Sequence, residues 1–280
     1  MKAFFFFFIY FIAAALLGAL ISYPIYQLLH SGTFAFERWV SRFALLLLLL
    51  GLIPSLKLNK LNLNLIGYNL SFKNFLKKFT LGYTAGLFIL IVVILILFIL
   101  QVRVFSEDAS LTFYFLLKAF LAGLIIALLE ETLFRGLFFS LAKKWHGPVT
   151  AIFISSFFYA ILHFIKPISH ITADSLYWLS GIHVISNAFS GLLVMNIGDF
   201  LALFSVGILL ALVRSRTNTL AYCVGLHASW VFLLKSTKEL SHLEPLSSWS
   251  FLIGQYDGII GLLTFVWLLV VSFIFIRYQH

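Results

Sequence analysis

Two adjacent carboxylates and a guanidinium, Glu130, Glu131 and Arg135, stand within six residues in an otherwise apolar stretch, AFLAGLIIALLEETLFRGLFFSLAKK. Two imidazoles, His163 and His227, lie in further apolar stretches, SSFFYAILHF and TNTLAYCVGLHASWVF. Carboxylates and imidazoles move protons near neutral pH, so this set suits general acid–base work, including activation of water. Residues four apart share a helix face, whereas adjacent residues diverge by about 100°. Glu131 and Arg135 are therefore expected to pair, each partly neutralising the other. Glu130 turns elsewhere, without a local cation, and is the candidate base. The competing reading is a buried helix-packing network with no chemistry. Tyr159 precedes His163 by four residues and shares its face.

The elements that must position these groups are membrane helices. Apolar residues make up 62% of the chain and charged residues only 10%, and the mean hydropathy is +1.07. A water-exposed surface would need more charge than that. Runs of about 20 apolar residues, enough to cross a hydrocarbon layer of roughly 30 Å, recur along the chain. Their apolarity is unbroken rather than alternating, which points to helices and not barrel strands. The expected fold is an all-α, polytopic membrane helix bundle of about eight transmembrane helices in one integral membrane domain, residues 1–280. The spans fall near Phe4–Gln27, Phe43–Leu56, Phe79–Leu100, Leu111–Leu133, Pro148–Ile165, Phe200–Val213, Leu220–Leu234 and Ile259–Ile276. The first exceeds the apolar core of a secretory signal and lacks an obvious cleavage site, so it is read as a span.

A net charge of +9 reads here as topology rather than nucleic-acid binding. With the N-terminus inside, the inner segments carry Lys2, Lys57, Lys60, Lys73, Lys77, Lys78, Lys143, Lys144, Arg214, Arg216 and Arg277. The outer segments carry only Arg38, Arg42, Arg103, Lys166, Lys235 and Lys238. Both termini are therefore expected in the cytoplasm, with the lipid bilayer as the partner of the basic residues. The lone cysteine, Cys223, excludes an intramolecular disulfide and reads as a small buried apolar residue. Lys57–Lys78, with Leu and Ile among Asn and Lys, is expected on the inner membrane surface. Pro167–Asp199, with His170, Asp174, His183 and Asn187, is expected to form a partly helical outer or re-entrant segment.

Depth ties the candidates together. Lys143, Pro148 and Arg216 mark the inner ends of three helices. At 1.5 Å per residue, Glu130 lies about 20 Å, His163 about 23 Å and His227 about 17 Å from those ends. Three ionisable groups at one level of the bilayer are what a single polar site requires.

EETLFRG resembles the EExxxR motif, YAILH the FxxxH motif and GLHASW the third histidine motif of the CPBP family. These are the CAAX protease and bacteriocin-processing enzymes, also called Abi, which are glutamic intramembrane endopeptidases. FSVGILLALVRSRTNTL is similar to the helix and turn before that last histidine. The resemblance covers about Leu121–Leu234 and implies a protease-like core at about 111–235. It implies Glu130 as the base that activates water, His163 as its helper, and His227 as a stabiliser of the oxyanion. It implies supporting roles for Glu131 and Arg135. This chain has Val231 where the family often has Asn, so part of the oxyanion hole is absent unless Ser229, Trp230 or a backbone amide supplies a donor. Tyr159 replaces the usual Phe.

The implied activity is hydrolysis of a peptide bond in a membrane-associated substrate, whether CAAX-like, lipidated or bearing a sorting signal. The low complexity of the chain and the lack of an organelle-targeting signal lead to the expectation of a bacterial cell membrane. Two His and one Glu could also hold Zn²⁺ through His163, His227 and Glu130. A glutamate-activated water needs no metal, there is no HExxH, and the expected cofactor set is none. The competing functions are a proton-coupled transporter using the same residues as a relay, and a non-catalytic immunity or assembly protein.

Overall fold

The computed structural model describes residues 1–29, 35–171 and 175–278, and Asp174 of the outer connection lies outside them. The chain is all-α and polytopic. Among the described residues, five helices are long and apolar enough to cross a membrane: Lys2–Leu29, Phe36–Leu58, Phe72–Ile99, Phe113–His146 and Ile197–Thr217. Pro148–Leu162, Ser180–Val194 and Leu262–Tyr278 are shorter apolar helices. Large apolar side chains on their outer faces are exposed, Phe88 by 69% and Ile99 by 77%, as lipid-facing surfaces should be.

The chain divides into two compact units, Met1–Leu61 with Phe158–Met195, and Asn62–Phe157 with Asn196–His280. The first contains α1 (Lys2–Leu29), α2 (Phe36–Leu50), α3 (Leu52–Leu58) and α8 (Ser180–Ser190). Its core joins Ala19, Tyr26, Phe36, Val40 and Val184. Small residues let the backbones approach: a Cβ on Gly18 would lie 2.7 Å from the Ala44 nitrogen, and one on Gly181 2.1 Å from the Ala19 carbonyl. Buried Glu37 accepts a hydrogen bond from the Ile171 amide at 2.6 Å. Asn187 Oδ1 accepts from Ile168 and Ser169 at 2.8 and 3.0 Å. The segment between the fifth and sixth expected spans is thus tied down by side chains, with α8 as its helical part.

The second unit contains α4 (Phe72–Ile99), α5 (Phe113–Glu131), α6 (Phe139–His146), most of α7 (Pro148–Leu162), α9 (Ile197–Thr217), α10 (Ala221–Leu240) and α11 (Leu262–Tyr278). α10 is longer than the span expected at Leu220–Leu234, continuing to Leu240. Its closest partner is α4. A Cβ on Gly82 would lie 2.5 Å from the Tyr222 carbonyl, and one on Gly225 2.2 Å from the Phe79 carbonyl. Gly82 and Gly86 form a GxxxG stripe, which lets helices meet where lipid provides no hydrophobic drive. Beyond these helices, β1 (Arg103–Phe105) pairs antiparallel with β2 (Ser241–Leu243). Arg103 fastens this clasp, donating to Ser241 Oγ at 2.8 Å and to the Gly258 carbonyl at 3.0 Å.

The expectation of a surface-lying Lys57–Lys78 differs from the structure in one part. Asn62–Gly67 forms turns, Ile66 is only 1% exposed, and the segment tucks into the second unit. The cause is polar. The Leu65 carbonyl accepts from Arg214 Nη2 at 2.9 Å, and the Gly67 carbonyl from the Leu220 amide at 3.0 Å.

Candidate active site

α5 ends at Glu131 and passes into a π-helical stretch, Thr132–Phe138, before α6 resumes. Such i→i+5 turns inside an α-helix concentrate at functional sites. Thr132 Oγ1 donates back to the Leu128 carbonyl at 2.5 Å and lies 2.6 Å from the Tyr68 hydroxyl. A local side chain and a distant one thus both hold this widened turn.

Glu131 and Arg135 form the ion pair expected from their spacing, with Nη1 2.9 Å from Oε1 and both side chains fully buried. The other arm of Arg135, Nη2, donates to the Gly207 carbonyl on α9 at 3.2 Å. Its guanidinium also lies over the Phe134 ring. Arg214, one basic residue in the expected inner set, is buried beneath this network and donates from Nε to the Arg135 carbonyl at 3.2 Å. Sequence offers no sign of that, because a basic residue closing a membrane helix ordinarily faces the inner surface.

His227 reaches the pair from α10. Its Nδ1 lies 2.9 Å from Glu131 Oε1, the oxygen that also accepts from Arg135. A carboxylate paired with a guanidinium is ionised and acceptor-only, so Nδ1 carries the proton and the ring is oriented. Nε2 then faces Glu130 Oε2 at 3.8 Å. That is too long for a direct hydrogen bond, yet an imidazolium there would be a charge partner. α10 thus brings an imidazole within reach of Glu130. The Glu130 side chain is 28% exposed while its neighbours are buried, so of the two glutamates it is the one with access to solvent or substrate.

His163 and Tyr159 belong to the first unit. His163 Nδ1 lies 2.6 Å from the Tyr159 carbonyl, and the two rings pack at 4.6 Å. A carbonyl only accepts, so Nδ1 carries a proton in that contact.

Ser229 and Trp230 are directed at α4. Ser229 Oγ donates to the Leu226 carbonyl at 2.7 Å and packs on Gly86, and Trp230 Nε1 donates to the Gly86 carbonyl at 3.0 Å. Their hydrogens are engaged in packing α10 on α4, so neither replaces the donor missing at Val231. Val231 faces Gly123 of α5, 3.5 Å from the Cβ that residue lacks.

A further element was not foreseen. Asp199, buried in the first turn of α9, accepts through Oδ2 from the Gln255 and Tyr256 amides at 2.9 and 3.0 Å. Gly254 packs directly on that carboxylate. No pattern links a first-turn Asp to a loop more than fifty residues away.

Among the described residues, no three His, Cys, Asp or Glu side chains are grouped to hold a metal ion. Among curated proteins and solved structures there is no match to the chain. Residues 112–233, less than half of the sequence, match the family model described as Type II CAAX prenyl endopeptidase Rce1-like. The match contains EETLFRG, YAILH and GLHASW and spans α5, α9 and most of α10. Over that segment the chain is similar to the Rce1-like family, in line with the resemblance of its motifs to the CAAX-type proteases.

Proposed function

We propose that the protein is an intramembrane endopeptidase in which Glu130 activates the attacking water. One observation carries this reading. Two ionisable groups from separate helices, Glu130 and His227, face one another at 3.8 Å, and a buried Glu131–Arg135 pair orients the imidazole. A packing network would have no use for a partly exposed carboxylate beside an oriented imidazole.

Water held at Glu130 gives its proton to Glu130 as its oxygen attacks the scissile carbonyl carbon. The carbonyl π electrons move to oxygen, and His227 stabilises that oxyanion. On collapse the C–N bond breaks, and the proton on Glu130 passes to the leaving amine. The products are a carboxylate and an amine, with no metal in any step. The substrate class is a protein or peptide held at the bilayer by a lipidated, CAAX-like C-terminus. The bias of Lys and Arg supports a topology with both termini cytoplasmic, in a cell membrane of bacterial type.

The test is cleavage of an internally quenched peptide bearing a farnesylated CAAX terminus by the full chain in nanodiscs. Glu130→Gln is expected to abolish turnover while leaving folding intact. Undiminished turnover by that variant would sink the proposal. Proton flux across liposomes that depends on Glu130, without cleavage of any peptide, would favour a relay instead.

A further inference from the structure

The π-helical stretch Thr132–Phe138 passes over one backbone acceptor. In an α-helix the Phe139 amide would donate to the Arg135 carbonyl, four residues back. Here it donates to the carbonyls of Phe134 and Gly136 instead. A buried carbonyl left out of the ladder is costly unless another donor meets it. Arg214, buried on the last turn of α9, supplies that donor, its Nε reaching the Arg135 carbonyl at 3.2 Å.

The same guanidinium has a second hold. Nη2 donates to the Leu65 carbonyl at 2.9 Å, which also accepts from Ser140 Oγ on α6 at 3.3 Å. Its Cζ lies over the Phe139 ring. The Gly67 carbonyl, in the same turn as Leu65, accepts from the Leu220 amide at 3.0 Å, where α10 begins. Gly67 takes φ +108°, and a Cβ there would lie 3.0 Å from Arg214 Nε, so glycine lets this turn close on the guanidinium. Leu220 precedes His227 by about two turns of helix. Arg214 therefore joins the stretch carrying Glu130, Glu131 and Arg135 to the turn that seats the helix of His227. The extra residue of a π turn rotates one side of the rod against the other by about 100°. α6 is fixed by Ser140 and Phe139, so reversion to α geometry would swing Glu130 and Glu131 away from His227, now 3.8 and 2.9 Å distant.

Resting on the endopeptidase reading, we propose that Arg214 is a positioning residue, which holds the π turn open by taking its passed-over carbonyl and so keeps Glu130 and Glu131 set against His227. It acts through Arg135 and the turn at 62–67, not on the substrate. The role needs two donors in fixed directions, which a guanidinium has and an ammonium lacks.

The experiment uses the full chain in nanodiscs and the farnesylated CAAX peptide. Arg214→Met is expected to lower kcat by about 10- to 100-fold, the scale of a 1 Å misplacement, with KM unchanged within about twofold. Arg214→Lys, which keeps the charge, is expected to fall in the same range. Arg216→Met, which removes an exposed cation from the same helix turn, should keep the wild-type kcat. The Arg135 carbonyl can be read directly. Arg–Gly occurs once in the sequence, at Arg135–Gly136, so labelling with carbonyl-¹³C arginine and ¹⁵N-glycine gives a single carbonyl–amide NMR cross-peak. That peak should move in both Arg214 variants and stay in place in Arg216→Met. Should Arg214→Met fail to fold, Arg214→Lys decides. Wild-type kcat in a folded Arg214 variant, or a lower kcat with the cross-peak unmoved, would overturn the positioning role while the endopeptidase reading stands, provided Glu130→Gln is inactive. So would a rise in KM with kcat unchanged, which marks a part in binding. A wild-type chain that leaves the peptide intact, or an active Glu130→Gln, overturns both.

Discussion

Arg135→Met tests how far the site depends on the buried ion pair. The Glu131 and Arg135 side chains meet at 2.9 Å with neither exposed, so no solvent can take over from a missing partner. Methionine keeps much of the length but strands the Glu131 charge, and stranding one member of a buried pair costs about 3–5 kcal/mol. His227 Nδ1 still donates to Glu131 Oε1, which places the expected loss at the lower end, about 3 kcal/mol. Glu131→Leu combined with Arg135→Met removes the stranded charge as well as the pair. Apolar replacement of both partners is often neutral. What remains unmet is chiefly His227 Nδ1, so the double variant should lie within about 1–2 kcal/mol of wild type. It should nonetheless be inactive, because the imidazole has lost the acceptor that orients it. With Glu131→Leu alone completing the cycle, unfolding by SDS titration in mixed micelles measures all four free energies. A double variant as unstable as the sum of the single variants would refute the reasoning, since it would mean the two side chains do not act on each other.

Two further outcomes follow from the same structure. Gly225→Ala would place a methyl group 2.2 Å from the Phe79 carbonyl and 2.7 Å from the Tyr83 nitrogen. Neither backbone atom can yield cheaply, so α10 must shift from α4, with a loss of about 1–3 kcal/mol in the same titration and slower cleavage, since His227 moves with it. Dialysis against EDTA and 1,10-phenanthroline should leave peptide cleavage unchanged if Glu130 alone activates water. Activity that is lost and then restored by Zn²⁺ would contradict that.

How much of this was legible in the sequence depended on the range of the interaction. Helix type and approximate position follow from unbroken apolarity, and the Glu131–Arg135 pair follows from i, i+4 geometry on one helix. The common depth of Glu130 and His227 was also readable, because helix rise is a fixed length and their contact at 3.8 Å needs only that the two helices be neighbours. What escaped involves partners with no periodic relation. Arg214 looks like any basic residue near a membrane face until the turn at 62–67 folds beneath it. The π turn after Glu131 leaves no mark in composition, because it is selected by Tyr68 and by packing rather than by propensity. Ser229 and Trp230 share the motif of His227, yet their direction is set by Gly86 on another helix. Asp199 and Tyr256 are separated by a whole helix of sequence and joined by a single carboxylate oxygen.

The α4–α10 pair, locked by glycine contacts over about two turns and stapled at the other end by β1 and β2, is a stiff beam in mechanical terms. Where backbone meets backbone at Gly82, Gly86 and Gly225, the pair cannot slide by fractions of a turn without a steric clash. The imidazole mounted on it therefore holds its height relative to α4. Breathing of the second unit is therefore expected at its softer, side-chain-filled seams rather than between α4 and α10.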